Sequence, residues 1–167
     1  MSQAEHKAAA PARVRCFVLT ISDSRTPDRD TSGNAICDLL AAAGHDVVGR
    51  DWVKDEPAEV ARVVADQIAA PDVQVIITTG GTGLTARDRT YEALCGVIEK
   101  RLDGFGELFR VLSYQEIGPA AMLSRAVAGS VRGTFIAALP GSEHAVRLAM
   151  TRLLIPVLPH IVPQVTR

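Results

Sequence analysis

Three aspartates and one glycine-rich run are the residues of this sequence best equipped to handle a phosphorylated ligand. The run Gly80-Gly81-Thr82-Gly83 follows an apolar stretch, Val73 to Thr79. Glycines let a backbone approach an anion closely, and successive N–H groups can form an anion-binding nest. Thr79 and Thr82 add hydroxyl donors. No GK[ST] follows, so the run is not a Walker-type P-loop, and it is not GxGxxG either. The same glycines would equally serve a tight strand-to-helix turn with positive φ. Asp23, Asp55 and Asp88 each fall just beyond a predicted strand end or this loop. Carboxylates beside a phosphate repel it unless a cation intervenes, and Mg²⁺ is commonly held by one or two carboxylates together with substrate phosphates. Taken singly, each aspartate reads more simply as a helix cap or as half of a loop ion pair with Arg87 or Arg89. Their shared placement is what suggests a metal-assisted site.

Other groups carry weaker chemistry. Ser124-Arg125 closes a short predicted helix; the guanidinium could grip a phosphate or carboxylate in bidentate fashion, or simply be solvated. Ser142 and His144 are close in sequence, but there is no GxSxG elbow, and Ser142 after Pro140-Gly141 reads as a helix cap. The histidines His6, His45, His144 and His160 are scattered and show no metal-ligand spacing.

The elements that must position these residues follow from periodicity. Val14 to Ile21 (VRCFVLTI) is a buried strand that ends at Ser22-Asp23-Ser24. A helix follows, capped by Thr31 or Ser32, with Ile36, Leu39, Leu40 and Ala43 on one face and Gly44 as its C-cap. His45 to Val53 is a weaker strand. Asp55 and Pro57 lead into a helix with Val60, Val63, Val64 and Ile68 buried. Val73 to Thr79 is the third strand. Thr90 is placed to cap a helix carrying Tyr91, Leu94, Cys95 and Ile98. Glu107 to Ile117 has helical spacing at Leu108, Val111 and Leu112, and Gly118-Pro119 restarts a short helix. Ala126 to Val131 and Thr134 to Leu139 pair as a hairpin across Arg132-Gly133. A last helix carries Val146, Ala149, Met150 and Leu153, and Pro156, Pro159 and Pro163 are expected to stop regular structure. Alternating strands and helices give βαβ units, hence an α/β/α sandwich with a mostly parallel sheet that the hairpin makes mixed. Ligands in open α/β sheets bind beyond the carboxyl ends of the strands. Ser22/Asp23, Asp55, Thr78 to Gly83, and Gly141/Ser142 all fall there.

Composition narrows the function classes. A length of 167 residues fits one domain with its own core: residues 13–167, preceded by a flexible tail over 1–12. The net charge of -1 lacks the basic footprint of a general nucleic-acid binder, and 4% aromatics cannot supply a stacking platform for single strands. Cys16, Cys37 and Cys95 form no CxxC pair and read as buried, reduced thiols of a cytoplasmic protein. No apolar leader precedes the first strand, and no run approaches 18 apolar residues, so neither a signal peptide nor a membrane span is expected.

Taken together, TISDSRTPDRDTSG (20–33), TTGGTGLTARDRT (78–90), GFGELFRVLSYQEIGPAAMLSRAVAG (104–129) and ALPGS (138–142) resemble the MoaB/Mog family of molybdenum cofactor biosynthesis proteins, from about residue 14 to about 160. The FGELFR and SYQEIG wording is similar to the MoaB branch. The resemblance implies the molybdopterin-binding domain fold. It also implies transfer of AMP from ATP to the terminal phosphate of molybdopterin, with Mg²⁺ and release of pyrophosphate. The branch includes members that bind without turnover, so a binding or scaffold paralogue is the alternative. The resemblance places the essential aspartates, and Mg²⁺ with them, at Asp55 and Asp88. It places pterin and phosphate contacts at Thr79, Gly80, Gly81, Thr82, Gly83, Ser124, Gly141 and Ser142, with Ser22 and Asp23 matching the S-D after the first strand. It implies trimers or hexamers and a downstream partner that inserts molybdate. Arg89, Glu143 and His144 are more highly charged than the pattern leads one to expect; a Glu143 turned inward would oppose a triphosphate.

Overall fold

In a computed structural model, residues 11–166 are described; most of the tail expected over 1–12 lies outside them. The chain order is β1 (Arg15–Ile21), α1 (Thr31–Ala42), β2 (Asp46–Val53), α2 (Pro57–Ala69), β3 (Val75–Thr79), α3 (Thr90–Val97), β4 (Lys100–Arg101), α4 (Asp103–Ile117), β5 (Val127–Val131), β6 (Thr134–Leu139), α5 (Glu143–Ala149) and α6 (Ile155–Val165). Short 3₁₀ turns cover Pro27–Arg29 and Gly118–Leu123. The six strands form one sheet in the order β2-β1-β3-β6-β5-β4. The first four run parallel, and β5 and β4 are antiparallel to their neighbours.

Alternation along β1 shows why the sheet is covered on both faces. Cys16 and Val18 point to a cluster built with Ile36 and Leu40 of α1, Phe105 and Phe109 of α4, and Val146, Leu158 and Val162 of the last helices. Phe17, Leu19 and Ile21 point to the other cluster, with Val60, Val64 and Ile68 of α2 and Leu94 of α3. Period-two strands packed on both sides give the three layers the sequence predicts. The predicted hairpin is present, turning at Arg132 and Gly133 with positive φ at both, as a two-residue turn requires.

Four local expectations are corrected. The cap of α1 is Asp30, whose side chain accepts from the N–H of Gly33, not Thr31 or Ser32. Thr90 lies inside α3, its hydroxyl turned to Asp55 rather than to its own helix. The helix expected from Glu107 begins at Asp103 and buries Phe105, Phe109 and Ser113, leaving Leu108 and Val111 exposed. Finally, the prolines do not end regular structure. A π turn at Met150–Leu154 joins α5 to α6, which continues through Pro159 and Pro163. These two are spaced by four residues, so one missing N–H lies above the other along one side of the helix.

The joined helix, Glu143–Val165, is 23 residues long and contains an 18-residue stretch with a mean hydropathy of 1.5, long and apolar enough to cross a membrane by length and composition. That departs from the expectation that no such segment exists. Here its apolar side, including Val146, Met150, Leu154, Leu158 and Val162, packs into the core beneath the sheet.

Candidate functional site

The carboxyl ends of the parallel strands converge on a cleft of about 530 Å³. It opens where β1 and β3 diverge in winding direction, the switch point at which α/β sheets bind ligands. Its wall comprises Ile21 to Arg25 after β1, Asp55 after β2, Gly80 to Gly83, Arg87 and Asp88 after β3, Leu123 and Ser124, and Pro140 and Gly141 after β6.

The glycine loop can be built only from glycine at two positions. Gly80 has φ +103° and Gly81 φ +68°. A Cβ on Gly81 would lie 1.9 Å from the Thr90 hydroxyl and 2.6 Å from Asp55 Oδ2. One on Gly83 would lie 2.7 Å from Asp88 Oδ2. The two carboxylates that the family pattern singles out therefore lie directly against the loop.

Asp55 is nearly buried, 5% exposed. Its Oδ1 accepts from the Arg89 N–H and the Thr90 hydroxyl, both at 3.3 Å. Burial raises its carboxyl above the ordinary range, those two bonds oppose the rise, and the charges of Asp88 and Asp23 add to it. Asp88 Oδ2 accepts from the N–H and hydroxyl of Thr85, at 3.0 and 2.5 Å. Asp23 is held by Arg87 through Nε at 3.0 Å and a terminal nitrogen at 3.1 Å, and this pairing lowers its carboxyl below the usual range. Arg87 also reaches Glu56 at 2.9 Å. Among the described residues no three His, Cys, Asp or Glu side chains form a ready metal cage. Asp55 Oδ2 and Asp88 Oδ1 accept no hydrogen bond among the described residues. A pair of free carboxylate oxygens in a cleft roomy enough for a small organic ligand suits Mg²⁺, which completes its shell with water and substrate.

Ser124 supplies a second sign of a ligand: its hydroxyl oxygen is buried and has no partner. Buried polar groups are normally satisfied, and an orphan calls for an explanation. Ser22, Asp23, Gly80, Gly81, Thr82, Gly83, Ser124, Gly141, Asp55 and Asp88 are thus assembled in one cleft.

Two expected contacts are not brought to the wall. The Thr79 hydroxyl is buried and donates to the Pro140 carbonyl at 2.9 Å. Ser142 caps α5, accepting from the Ala145 N–H at 3.2 Å. Ser22 lines the cleft, but its hydroxyl accepts from the N–H groups of Arg25 and Ser24. Glu143 turns along its own helix to Arg147, and His144 pairs with Glu116, so neither opposes an anion.

Sequence reasoning missed Arg25, whose guanidinium donates to Ser32 at 2.7 Å beside Gly141. It also missed Asp30, which is fully buried. Burial pushes the Asp30 carboxyl up, but bonds from Thr20, the Gly33 N–H and Arg50 outweigh it and leave it lowered. Trp52 donates to it as well, at 2.9 Å. Asp30 thereby ties the loop after β1 to β2, and Ser32 ties it to the Gly141 carbonyl at 2.6 Å. The only local clue was an aspartate three residues before Gly33 at a helix start.

Residues 17–160 match the family described as "Probable molybdopterin binding domain". Molybdenum cofactor biosynthesis protein B of Bacillus cereus is 47% identical over 162 residues, 96% of each chain. A crystal structure of molybdenum cofactor biosynthesis protein B superposes with a TM-score of 0.90 at 46% identity, over 93% of this chain and 98% of that one. The tungsten cofactor synthesizing protein MoaB of Pyrococcus furiosus gives 0.85 at 34% identity, over 95% and 100%.

Proposed function

The chain belongs to the molybdopterin-binding domain family and acts in molybdenum cofactor biosynthesis; from that premise we propose that it binds molybdopterin in the cleft beyond the parallel strands and adenylylates its terminal phosphate with Mg-ATP. An oxygen of the pterin phosphate attacks the α-phosphorus of ATP, a phosphoanhydride bond forms, and the bond to pyrophosphate breaks with its electron pair leaving on pyrophosphate. The attacking phosphate is already ionised at neutral pH, so the protein needs no base and no covalent nucleophile. Catalysis is then positioning and charge neutralisation.

The observation that carries this reading is the placement of Asp55 and Asp88 within 2.6 and 2.7 Å of the Cβ positions that Gly81 and Gly83 leave empty. Carboxylates directly against a phosphate-binding loop would repel the ligand unless a cation neutralised them. Asp55 and Asp88 would hold Mg²⁺ there, and it would supply the neutralising charge. The loop orients the phosphates, Ser124 offers its unpaired hydroxyl, and Arg25 and Arg87 border the mouth.

The test is pyrophosphate release from ATP by the purified chain with Mg²⁺, with and without molybdopterin. Release that depends on molybdopterin is expected. Molybdopterin binding without release would instead make the protein a carrier, and absence of binding would make it a scaffold.

Self-association belongs to the same reading. Leu108, Val111, Tyr114, Ile117, Met122 and Leu123 are each more than half exposed on α4 and the 3₁₀ turn that follows it. Contiguous apolar surface of this kind marks an interface. We propose a homo-oligomer, trimer or hexamer, in the cytoplasm, delivering its product to a molybdate-inserting partner; solution mass distinguishes the two assemblies.

A further inference from the structure

Arg125 lies behind the glycine loop, outside the cleft wall, and its guanidinium is almost entirely engaged by the protein. Nε donates to the Thr82 carbonyl at 3.2 Å, and one terminal nitrogen donates to the carbonyls of Gly83 and of Asp88, the latter at 3.0 Å. The other terminal nitrogen pairs with Glu92, and the guanidinium lies over the Tyr91 ring at 4.9 Å. Four of its five N–H donors are therefore committed. It is not the anion-gripping arginine that its sequence position allowed.

What it does follows from peptide geometry. The peptide bonds of the described residues are all trans, so the C=O and N–H of one unit point in opposite directions. With its carbonyl drawn to Arg125, the Asp88–Arg89 peptide must aim its N–H the other way, and that N–H donates to Asp55. The Thr82–Gly83 and Gly83–Leu84 peptides are held by the same guanidinium. Their N–H groups, on Gly83 and Leu84, are therefore turned away from it, and among the described residues they have no protein acceptor. Carbonyl oxygens facing the cleft would repel phosphate; N–H groups facing it attract phosphate.

We propose that Arg125 is the positioning residue of the phosphate loop. It gathers the three carbonyls on the far side so that the N–H of Gly83, a residue of the cleft wall, faces the anion, and it fixes the peptide through which Asp55 is oriented. It never touches substrate. The inference rests on the adenylyl-transfer reading only for the kind of anion bound. A lysine cannot replace the fork, because an ammonium reaches one or two carbonyls without fixing their planes.

The experiment uses inorganic pyrophosphate as the probe and the full chain in three forms: parent, Arg125→Lys and Arg125→Ala. In the parent, pyrophosphate should shift the amide resonance of Gly83. Arg125→Lys should keep the parent's circular dichroism yet bind pyrophosphate about tenfold more weakly, a difference of about 1.4 kcal/mol. Arg125→Ala should weaken binding further, and added methylguanidine should restore it, which a merely structural loss would not allow. An unmoved Gly83 amide in the parent overturns the proposal, as does binding by Arg125→Lys within twofold of the parent. If pyrophosphate binds as described but molybdopterin-dependent release is absent, adenylyl transfer fails and the positioning role stands. If release occurs and Arg125→Lys matches the parent, the positioning role fails alone.

Discussion

Gly80 is the point at which three parallel strands meet, and Gly80→Ala should part them. Its N–H donates to the Leu139 carbonyl at 3.0 Å, and a Cβ on it would lie 2.0 Å from the Ile21 carbonyl oxygen. Real Cβ contacts essentially never fall under 3.0 Å. The oxygen is backbone and cannot swing aside, so the ends of β1 and β3 have to separate by about 1 Å. These strands are paired as far as Thr20 opposite Thr79, and an ordinary ladder bond stretched that much leaves hydrogen-bonding range. One or two lost bonds cost about 1 kcal/mol each. Holding an L-residue at positive φ costs about 1–2 kcal/mol more. The expected destabilisation, about 2–4 kcal/mol, is a large share of the about 5–15 kcal/mol that keeps a domain folded. With a slope of about 2 kcal/mol per M, the urea midpoint should fall by about 1–2 M at matched protein concentration. A midpoint within about 0.3 M of the parent's, at equal slope, would refute the close approach and the cost built on it.

Asp55→Asn should stabilise the fold at neutral pH while stopping turnover. The raised carboxyl of Asp55 means that the folded state binds its proton more readily than the unfolded state, so stability falls as pH rises from the ordinary carboxylate range through the raised folded value. Denaturation across pH should show the variant's advantage shrinking toward acid, and an advantage that grows toward acid would contradict the assigned cause. Ser124→Ala should leave the thermal midpoint unchanged or higher, because the lost hydroxyl has no partner. Calorimetry should show weaker molybdopterin binding, by about 1 kcal/mol. Asp88→Asn should reduce molybdopterin-dependent pyrophosphate release to near background with an unchanged circular dichroism spectrum; release at the parent's rate would remove Asp88 from the reaction.

The parts of the fold legible in the sequence are those whose cause is local. Val14 to Ile21 and Val73 to Thr79 are too apolar for anything but buried strands, and Ser142 sits where a cap must. Asp55 and Asp88 fall beyond the ends of β2 and β3, the side of a parallel sheet where ligands bind. What stayed hidden depends on contacts far apart in sequence. Thr31 and Ser32 are as good caps as Asp30 until Thr20, Arg50 and Trp52 arrive to satisfy a buried carboxylate. Leu108 and Val111 read as a buried stripe, yet the bulkier Phe105 and Phe109 take that place. Arg125 carried no sign that its partners would be carbonyls. Pro156 falls in the first turn of the last helix, where its missing N–H costs little, the helix runs on through Pro159 and Pro163, and the π turn before them has no residue signature.

That π turn sets the phase of the final helix. Val146 and Val162 are both buried, and the sixteen steps between them would carry an ideal α-helix about 160° beyond whole turns. Wound that way, one of the two would face solvent. The wider turn at Met150–Leu154 takes up the equivalent of one residue, about 100° of rotation, and brings both ends back onto the sheet. A chain shortened by one residue within this segment could close the turn to regular α geometry with both faces still aligned. The same deletion between Ile155 and Val157, with the wide turn kept, would rotate Leu158 and Val162 out of the core. The five residues of the turn are therefore where this helix best absorbs a change of length.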